Sequence, residues 1–75
     1  MAVDWDEIRR EYAPLVWSVV WRILPHEADA LECSQDVFLE AMERSRDTSI
    51  NNWGGFLRWL STRRAIDALR RRRRQ

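Results

Sequence analysis

The sequence predicts an all-α fold, a compact bundle of three to four helices, and three observations lead to this prediction. Apolar residues recur at spacings of three and four along most of the chain, which is the periodicity of an amphipathic helix. No stretch alternates apolar and polar residues as a half-buried strand would. Prolines and glycines are few, namely Pro14, Pro25 and the adjacent pair Gly54 and Gly55. A chain of 75 residues is long enough for only one domain, residues 1–75.

The first predicted helix covers residues 4–24, because Asp4 can act as its N-cap and Pro25 should end it. Glu7 stands three residues after Asp4, which is the spacing of a capping box. Pro14 should kink this helix or split it, since proline lacks an N–H and its ring clashes with the preceding turn. Two apolar stripes run along the helix, and we interpret the second as buried within the bundle rather than facing a partner. The first stripe comprises Trp5, Ile8, Tyr12, Leu15, Val19 and Ile23, and the second comprises Trp17, Trp21 and Leu24.

The second predicted helix covers residues 27–46 and has two contrasting sides. One side is a broad apolar arc, and Cys33 within it is interpreted as a small buried hydrophobe rather than a reactive thiol. The opposite side is acidic but carries a leucine in its middle, which suggests that another molecule docks there. The apolar arc comprises Ala30, Cys33, Val37, Phe38 and Ala41, flanked by Leu31 and Met42. The opposite side, which we call the acidic face, comprises Glu32, Gln35, Asp36, Leu39 and Glu43.

The third predicted helix covers residues 53–74, follows a polar loop, and combines arginines with aromatic residues. Arginine binds phosphate through two parallel hydrogen bonds, and aromatic rings stack on unpaired bases. The helix therefore favours nucleic-acid binding over a role as a solvated tail. Asp67 is expected to form local ion pairs with Arg63 and Arg70, which lie four and three residues away. The arginines are Arg58, Arg63, Arg64 and the run 70–74, and the aromatic residues are Trp53, Phe56 and Trp59.

Charge is divided unevenly along the chain. Residues 1–47 contain five arginines and eleven acidic residues, a net charge of −6, whereas residues 48–75 contain eight arginines and one acidic residue, a net charge of +7. Such asymmetry indicates two surfaces with different partners. The basic part suits phosphate groups, and the acidic part suits a basic protein surface.

The sequence contains no pattern that argues for catalysis, a cofactor or a metal site, so we do not expect an enzyme. His26, Asp29 and Glu32 share one helix face, but two carboxylates and one histidine on an exposed turn are usually only solvated. His26, the single histidine, has no evident serine partner for nucleophilic chemistry.

The sequence also carries expectations about the protein's location. Cys33 is the only cysteine, so no disulfide can form within the chain, which fits a reducing cytoplasm. The beginning of the chain lacks the apolar run of a secretory signal. The longest apolar run, residues 14–24, is shorter than the roughly 20 residues needed to cross a bilayer. We therefore expect a cytoplasmic protein with no membrane partner.

Two stretches of the chain resemble region 2 of bacterial RNA polymerase sigma factors of the extracytoplasmic-function, sigma-70-like group. The stretch "ADALECSQDVFLEAM" is similar to the family pattern of a small residue and acids followed by Gln-acid-Val/Ala-Phe. The stretch "FLRWLSTRRAIDALRRRRR" resembles the family helix "WL…A…AID.LRR", with Asp67 and Arg70 at the matching positions. The chain departs from the family where Leu31 replaces an acid, Phe56 replaces a tryptophan and Arg63 replaces a frequent asparagine, and Glu32 stands for a usual aspartate.

The resemblance implies a role in transcription initiation. The acidic face would bind core RNA polymerase by docking on the clamp helices of its β′ subunit. The loop before the third helix would capture a flipped base of the non-template strand as the promoter −10 element melts, with Phe38 at the base of the pocket. The residues implied to contact DNA are Ser49, Asn51, Asn52, Trp53, Arg58, Arg63, Arg64, Arg70 and Arg71.

The resemblance carries two further expectations about partners and extent. A complete protein of this family has a second helical domain that reads the −35 element, so we expect this chain to be a domain excised from such a protein. An anti-sigma factor, the inhibitor found with some members, would cover either the acidic face or the stripe of Trp17, Trp21 and Leu24.

Two other functions fit parts of the sequence. The segment "WLSTRRAIDALRRRR" could be the recognition helix of a duplex-binding helix-turn-helix or homeodomain-like module. Against this, the acidic second helix would repel a duplex, and the position of Leu39 on its outer side would be unexplained. The chain could also be a helical protein-interaction bundle in which the arginine run has no ligand. These three functions differ in the DNA that the chain should prefer. The sigma domain should prefer single-stranded DNA, the duplex-binding module duplex DNA, and the interaction bundle neither.

Overall fold

The computed structural model describes residues 3–74, which form three helices that all contact one another. Helix α1 spans Trp5–Ile23, α2 spans Glu27–Asp47 and α3 spans Trp53–Arg74. The part of the chain that the structure describes contains no strand, so the predicted all-α bundle is confirmed. The connections are short, at residues 24–26 and 48–52.

Helix α1 is one continuous helix that contains Pro14, so of the two outcomes expected of this proline, a kink or a split, the split does not occur. Asp4 caps its first turn, with its carboxylate accepting a hydrogen bond from the Glu7 backbone N–H at 3.2 Å. Pro14 lies within the helix and its side chain is exposed. The hydrogen bond that proline removes is therefore lost on the solvent side, where water can satisfy the free carbonyl.

The buried side of α1 lies between the two predicted stripes. Val16, Val20 and Leu24 are fully buried and follow one another at intervals of four residues. The residues of the first stripe lie at the edges of this side and are only half-buried. Trp17 and Trp21, interpreted as buried, are instead 36% and 41% exposed. They stack on each other with ring centroids 5.5 Å apart, because residues four apart share one helix face. They are exposed because each lies about 100° around the helix from its buried neighbour, Val16 or Val20.

The hydrophobic core is drawn from all three helices. Several of the buried residues are small, namely Ala30, Cys33, Ala41 and Ala65. Cys33 is buried as predicted, and the desolvation that accompanies burial raises the pKa of its thiol from 9.0 to about 11. A thiol in this state is a packing residue rather than a nucleophile. The core comprises Val16, Val20, Leu24, Ala30, Cys33, Val37, Phe38, Ala41, Leu57, Leu60 and Ala65.

Helix α3 begins at Trp53, immediately after an asparagine cap. The Asn52 side-chain oxygen accepts a hydrogen bond from the Gly55 backbone N–H at 2.9 Å. A Cβ on Gly55 would lie 3.0 Å from the Asn52 side-chain nitrogen, so glycine leaves room for this cap. Trp53 is half-buried and packs edge-to-face against Trp5 and Phe56. This aromatic group fixes the start of α3 against the start of α1.

Ser61 is a polar residue in the core whose hydroxyl has no hydrogen-bond partner among the described residues, although it is fully buried. An unsatisfied buried hydroxyl costs about 1–3 kcal/mol. We expect Ser61→Ala to raise the free energy of unfolding by about 1 kcal/mol, which for a domain of this size raises Tm by roughly 4–8 °C. Thermal unfolding followed by circular dichroism measures the change.

Ser34 provides the matched control for that measurement. It is also buried, but its hydroxyl donates a hydrogen bond to the Ala30 carbonyl at 2.9 Å. Ser34→Ala therefore removes a satisfied group and should not stabilise the domain. Equal changes in Tm for the two variants would show that the Ser61 hydroxyl is satisfied in solution.

Candidate polymerase and nucleic-acid interfaces

The acidic face forms one continuous surface along α2. Glu32, Gln35 and Glu43 are exposed, Asp36 is half-buried, and Leu39 is 58% exposed. An apolar side chain this exposed, surrounded by carboxylates, is suited to a partner that offers both positive charge and an apolar contact.

Leu31 belongs to the same surface, although the sequence pattern placed it beside the buried arc. Its side chain is 51% exposed, and it precedes Gln35 and Leu39 at intervals of four residues. The three side chains therefore form a row along the exposed side of α2. The spacing of four from Gln35 was the signal in the sequence that identifies this row.

Six arginines of α3 fall into two groups, and Arg64 belongs to the group that forms ion pairs with α2. Its Nε and Nη2 lie 2.7 and 2.6 Å from Oε1 of Glu40, while Nε of Arg44 lies 2.8 Å from Oε2 of the same carboxylate. Partial burial favours the neutral acid, but the hydrogen bonds from Arg64 and Arg44 outweigh it and hold the pKa of Glu40 below its ordinary value. The hydrogen bond that Arg64 donates to Glu40 in turn raises the pKa of Arg64. Arg64, expected to contact phosphate, is thus held by an internal carboxylate.

Arg72 is the second engaged arginine, since its guanidinium pairs with Asp29 near the start of α2. Asp29, one of the three residues weighed as metal ligands, therefore has a cation as its neighbour. The ion pairs expected of Asp67 with Arg63 and Arg70 were wrong, because neither forms among the side chains that the structure describes. Asp67 lines an open groove instead.

Arg58, Arg63, Arg70 and Arg71 form the second group. Within residues 3–73, none of them has a carboxylate within ion-pair distance, and all four are exposed. Three of them, Arg63, Arg70 and Arg71, line an open groove of about 830 Å³ between the second half of α2 and α3. These guanidinium groups are free to bind phosphates.

Trp59 is the exposed aromatic residue of this surface. Its side chain is 48% exposed, and the guanidinium carbons of Arg44 and Arg63 lie 5.6 and 5.4 Å from its ring centroid. These are cation–π distances. Trp53, which was also expected to contact DNA, is half-buried against Trp5 and Phe56, so Trp59 is the more exposed tryptophan of α3.

The loop between α2 and α3 borders a separate cavity of about 410 Å³. Ser49, Asn51 and Asn52 line it, so the structure brings together the three loop residues named from the sequence. The expectation that Phe38 forms its base was wrong, because Phe38 belongs to the core and the cavity is lined by Phe56. The other lining residues are Arg44, Asp47, Thr48 and Ile50.

Comparison with known proteins identifies the family of the chain. The family described as Sigma-70 region 2 matches residues 8–75. The chain belongs to this family. It is also similar to the ECF RNA polymerase sigma factor SigE of Mycolicibacterium smegmatis, with 27% identity over 69 residues. That match covers 92% of this chain and 27% of SigE, so the chain spans about a quarter of the length of this relative. No solved structure matches the chain.

Membership confirms the resemblance seen in the sequence. The sigma region 2 domain thus presents two contrasting surfaces, an acidic one on α2 and a basic one on α3. Over the described residues, no helix is both long enough and apolar enough to span a membrane.

Proposed function

We propose that this domain binds core RNA polymerase through the acidic face and holds the melted non-template strand of the promoter −10 element on α3 and the preceding loop. The observation that carries the proposal is the exposure of Leu39 at the centre of the acidic face. An exposed leucine ringed by carboxylates is unnecessary for the bundle, whose core lies on the other side of α2. Family membership favours this function over a duplex-reading module or a plain interaction bundle.

The proposed polymerase contact combines charge with shape. Glu32, Asp36 and Glu43 would steer and orient a basic surface on the β′ clamp helices. Leu39 and the amide of Gln35 would provide the short-range fit, with Leu31 extending the apolar row by one turn. Since charges at the rim mainly affect association and buried apolar contacts mainly affect dissociation, both kinds of residue contribute.

The proposed DNA contact has two parts. The loop cavity would receive a flipped base, whose polar edge Ser49 and Asn51 can meet with hydrogen bonds. The Asn52 oxygen already caps α3, which leaves its side-chain N–H groups for the base. Phe56 offers an aromatic surface in the same cavity. The open groove beside Trp59 would hold the adjoining strand through Arg63, Arg70 and Arg71, with Arg58 as a further phosphate ligand.

The same proposal sets the wider context of the protein. The domain would act in the cytoplasm together with RNA polymerase, without a cofactor. In the whole protein, a second helical domain would recognise the −35 element. Of the two surfaces considered for an anti-sigma factor, the acidic face is largely exposed, and the second stripe is exposed at Trp17 and Trp21 but buried at Leu24.

The proposal is tested by titrating the domain with a fragment of the β′ clamp helices, using calorimetry. We expect binding, and we expect Asp36→Arg and Leu39→Ala each to weaken it at least about tenfold, or about 1.4 kcal/mol. Glu11→Arg is the matched control, because Glu11 is an exposed acid on α1 and its replacement changes the charge by the same amount. The proposal fails if the folded domain does not bind the fragment, or if the control weakens binding as much as Asp36→Arg.

A further inference from the structure

The two ion pairs that join α2 to α3 in the described side chains each engage an arginine of the basic helix. Glu40 holds Arg64, and Asp29 holds Arg72. The third described ion pair, Arg44–Glu40, lies within α2 and shares the first of these carboxylates. Two arginines of the surface expected to bind phosphate are therefore already bound to acids.

Between these two pairs lies a groove of about 290 Å³ in which opposite charges face each other. Carboxylates from α2 line one side of it, and guanidinium groups from α3 line the other. A phosphate that approaches these arginines must displace a carboxylate, or bind more weakly because the carboxylate repels it. The acids are Asp29, Glu32 and Asp36, and the arginines are Arg64, Arg71 and Arg72.

We propose that Asp29 and Glu40 act as internal substitutes for DNA phosphates and withhold Arg72 and Arg64 from nucleic acid in the free domain. A carboxylate and a phosphate offer a guanidinium the same paired oxygen acceptors, so the two compete for one site. The free domain then binds a single strand with its unpaired arginines alone. This inference rests on the proposed binding of single-stranded DNA.

The two contacts differ in strength. Arg72 and Asp29 are both substantially exposed, so water and salt screen their attraction. Glu40 is less exposed and is held by two arginines, and its lowered pKa agrees with a firmer contact. The Asp29 contact should therefore open first when DNA binds, and the Glu40 contact should persist.

The experiment measures binding of a fluorescein-labelled single-stranded oligonucleotide by anisotropy over a range of salt concentrations, starting near 50 mM. Asp29→Asn is the main variant, because Asp29 is partly exposed and its replacement should leave the fold intact. We expect it to bind about three- to tenfold tighter than wild type at low salt, the effect of one added phosphate contact. The slope of log K against log salt should steepen by about 0.7, the value for one phosphate on a single strand.

Glu11→Gln provides the charge-matched control, since it removes one exposed negative charge from α1. Any general effect of net charge appears equally in this variant, without a steeper slope. Glu40→Gln is the second test. It should release Arg64 and make the slope of log K against log salt steeper still. If Asp29→Asn and Glu11→Gln have the same affinity and slope, the inference is overturned while the proposed function stands. If wild type and all variants fail to bind at low salt, the proposed DNA contact itself is wrong.

Discussion

Replacing Leu60 by alanine is expected to remove about 2–5 kcal/mol from the free energy of unfolding. Leu60 is fully buried on α3 and belongs to the core shared by all three helices. A domain of 75 residues has a total stability of roughly 4–11 kcal/mol. The substitution therefore removes a large part of the total, and a substantial unfolded population follows if the wild-type value lies at the low end. Urea unfolding followed by circular dichroism measures the difference.

Leu39→Ala is the matched control, because it makes the same chemical change on an exposed part of α2. We expect its free energy of unfolding to stay within about 0.5 kcal/mol of wild type. The two leucines then separate the roles of fold and interface: Leu60 supports stability, and Leu39 supports the proposed polymerase binding. A loss of stability at Leu39 similar to that at Leu60 would show that Leu39 packs against the domain in solution.

Periodicity and capping were enough to predict the helices, because these signals act within one segment. Asp4 caps α1 through a contact three residues away, and the arc around Cys33 on α2 is buried as its spacing predicts. The exposure of the acidic face follows from the same angular argument. Each of these features depends on residues within a few turns of one helix.

Features that depend on how helices meet were not predictable in this way. On α1, two apolar stripes were visible, but only packing against α2 and α3 selects Val16 and Val20 between them as the buried line. Glu40 and Arg64 are 24 residues apart, so no local spacing reveals their ion pair. The loop cavity likewise depends on Phe56, which α3 places beneath the loop, rather than on Phe38.

Trp59 was not identified from the sequence as a DNA-binding residue, because its exposure also depends on how the helices meet. Three aromatic residues near the start of α3 look equivalent in the sequence, but packing against Trp5 engages Trp53. Trp59 is left exposed beside Arg44, which comes from α2. Only the assembled bundle brings that guanidinium to the ring, so the candidate site joins residues from two helices that the sequence keeps separate.

Trp59→Ala is expected to weaken binding of single-stranded DNA by about 1–3 kcal/mol, which is the range for one base–aromatic stacking contact. The exposed part of the indole can stack on a base. The ring also positions Arg44 and Arg63, which lie over it at the edge of the open groove. Loss of the ring removes the stacking surface and frees both guanidinium groups to move. Anisotropy of a labelled single strand at low salt measures the loss.

Trp21→Ala tests whether any exposed tryptophan has this effect. Trp21 is 41% exposed, close to the 48% of Trp59, but it lies on α1 and stacks on Trp17. We expect Trp21→Ala to bind the single strand as wild type does, and both variants to unfold near the wild-type temperature. The same titration with a duplex separates single-strand capture from duplex reading, because stacking on Trp59 requires an unpaired base. Equal losses in the two variants, or tighter binding of the duplex by wild type, would contradict the assignment of Trp59 to the melted strand.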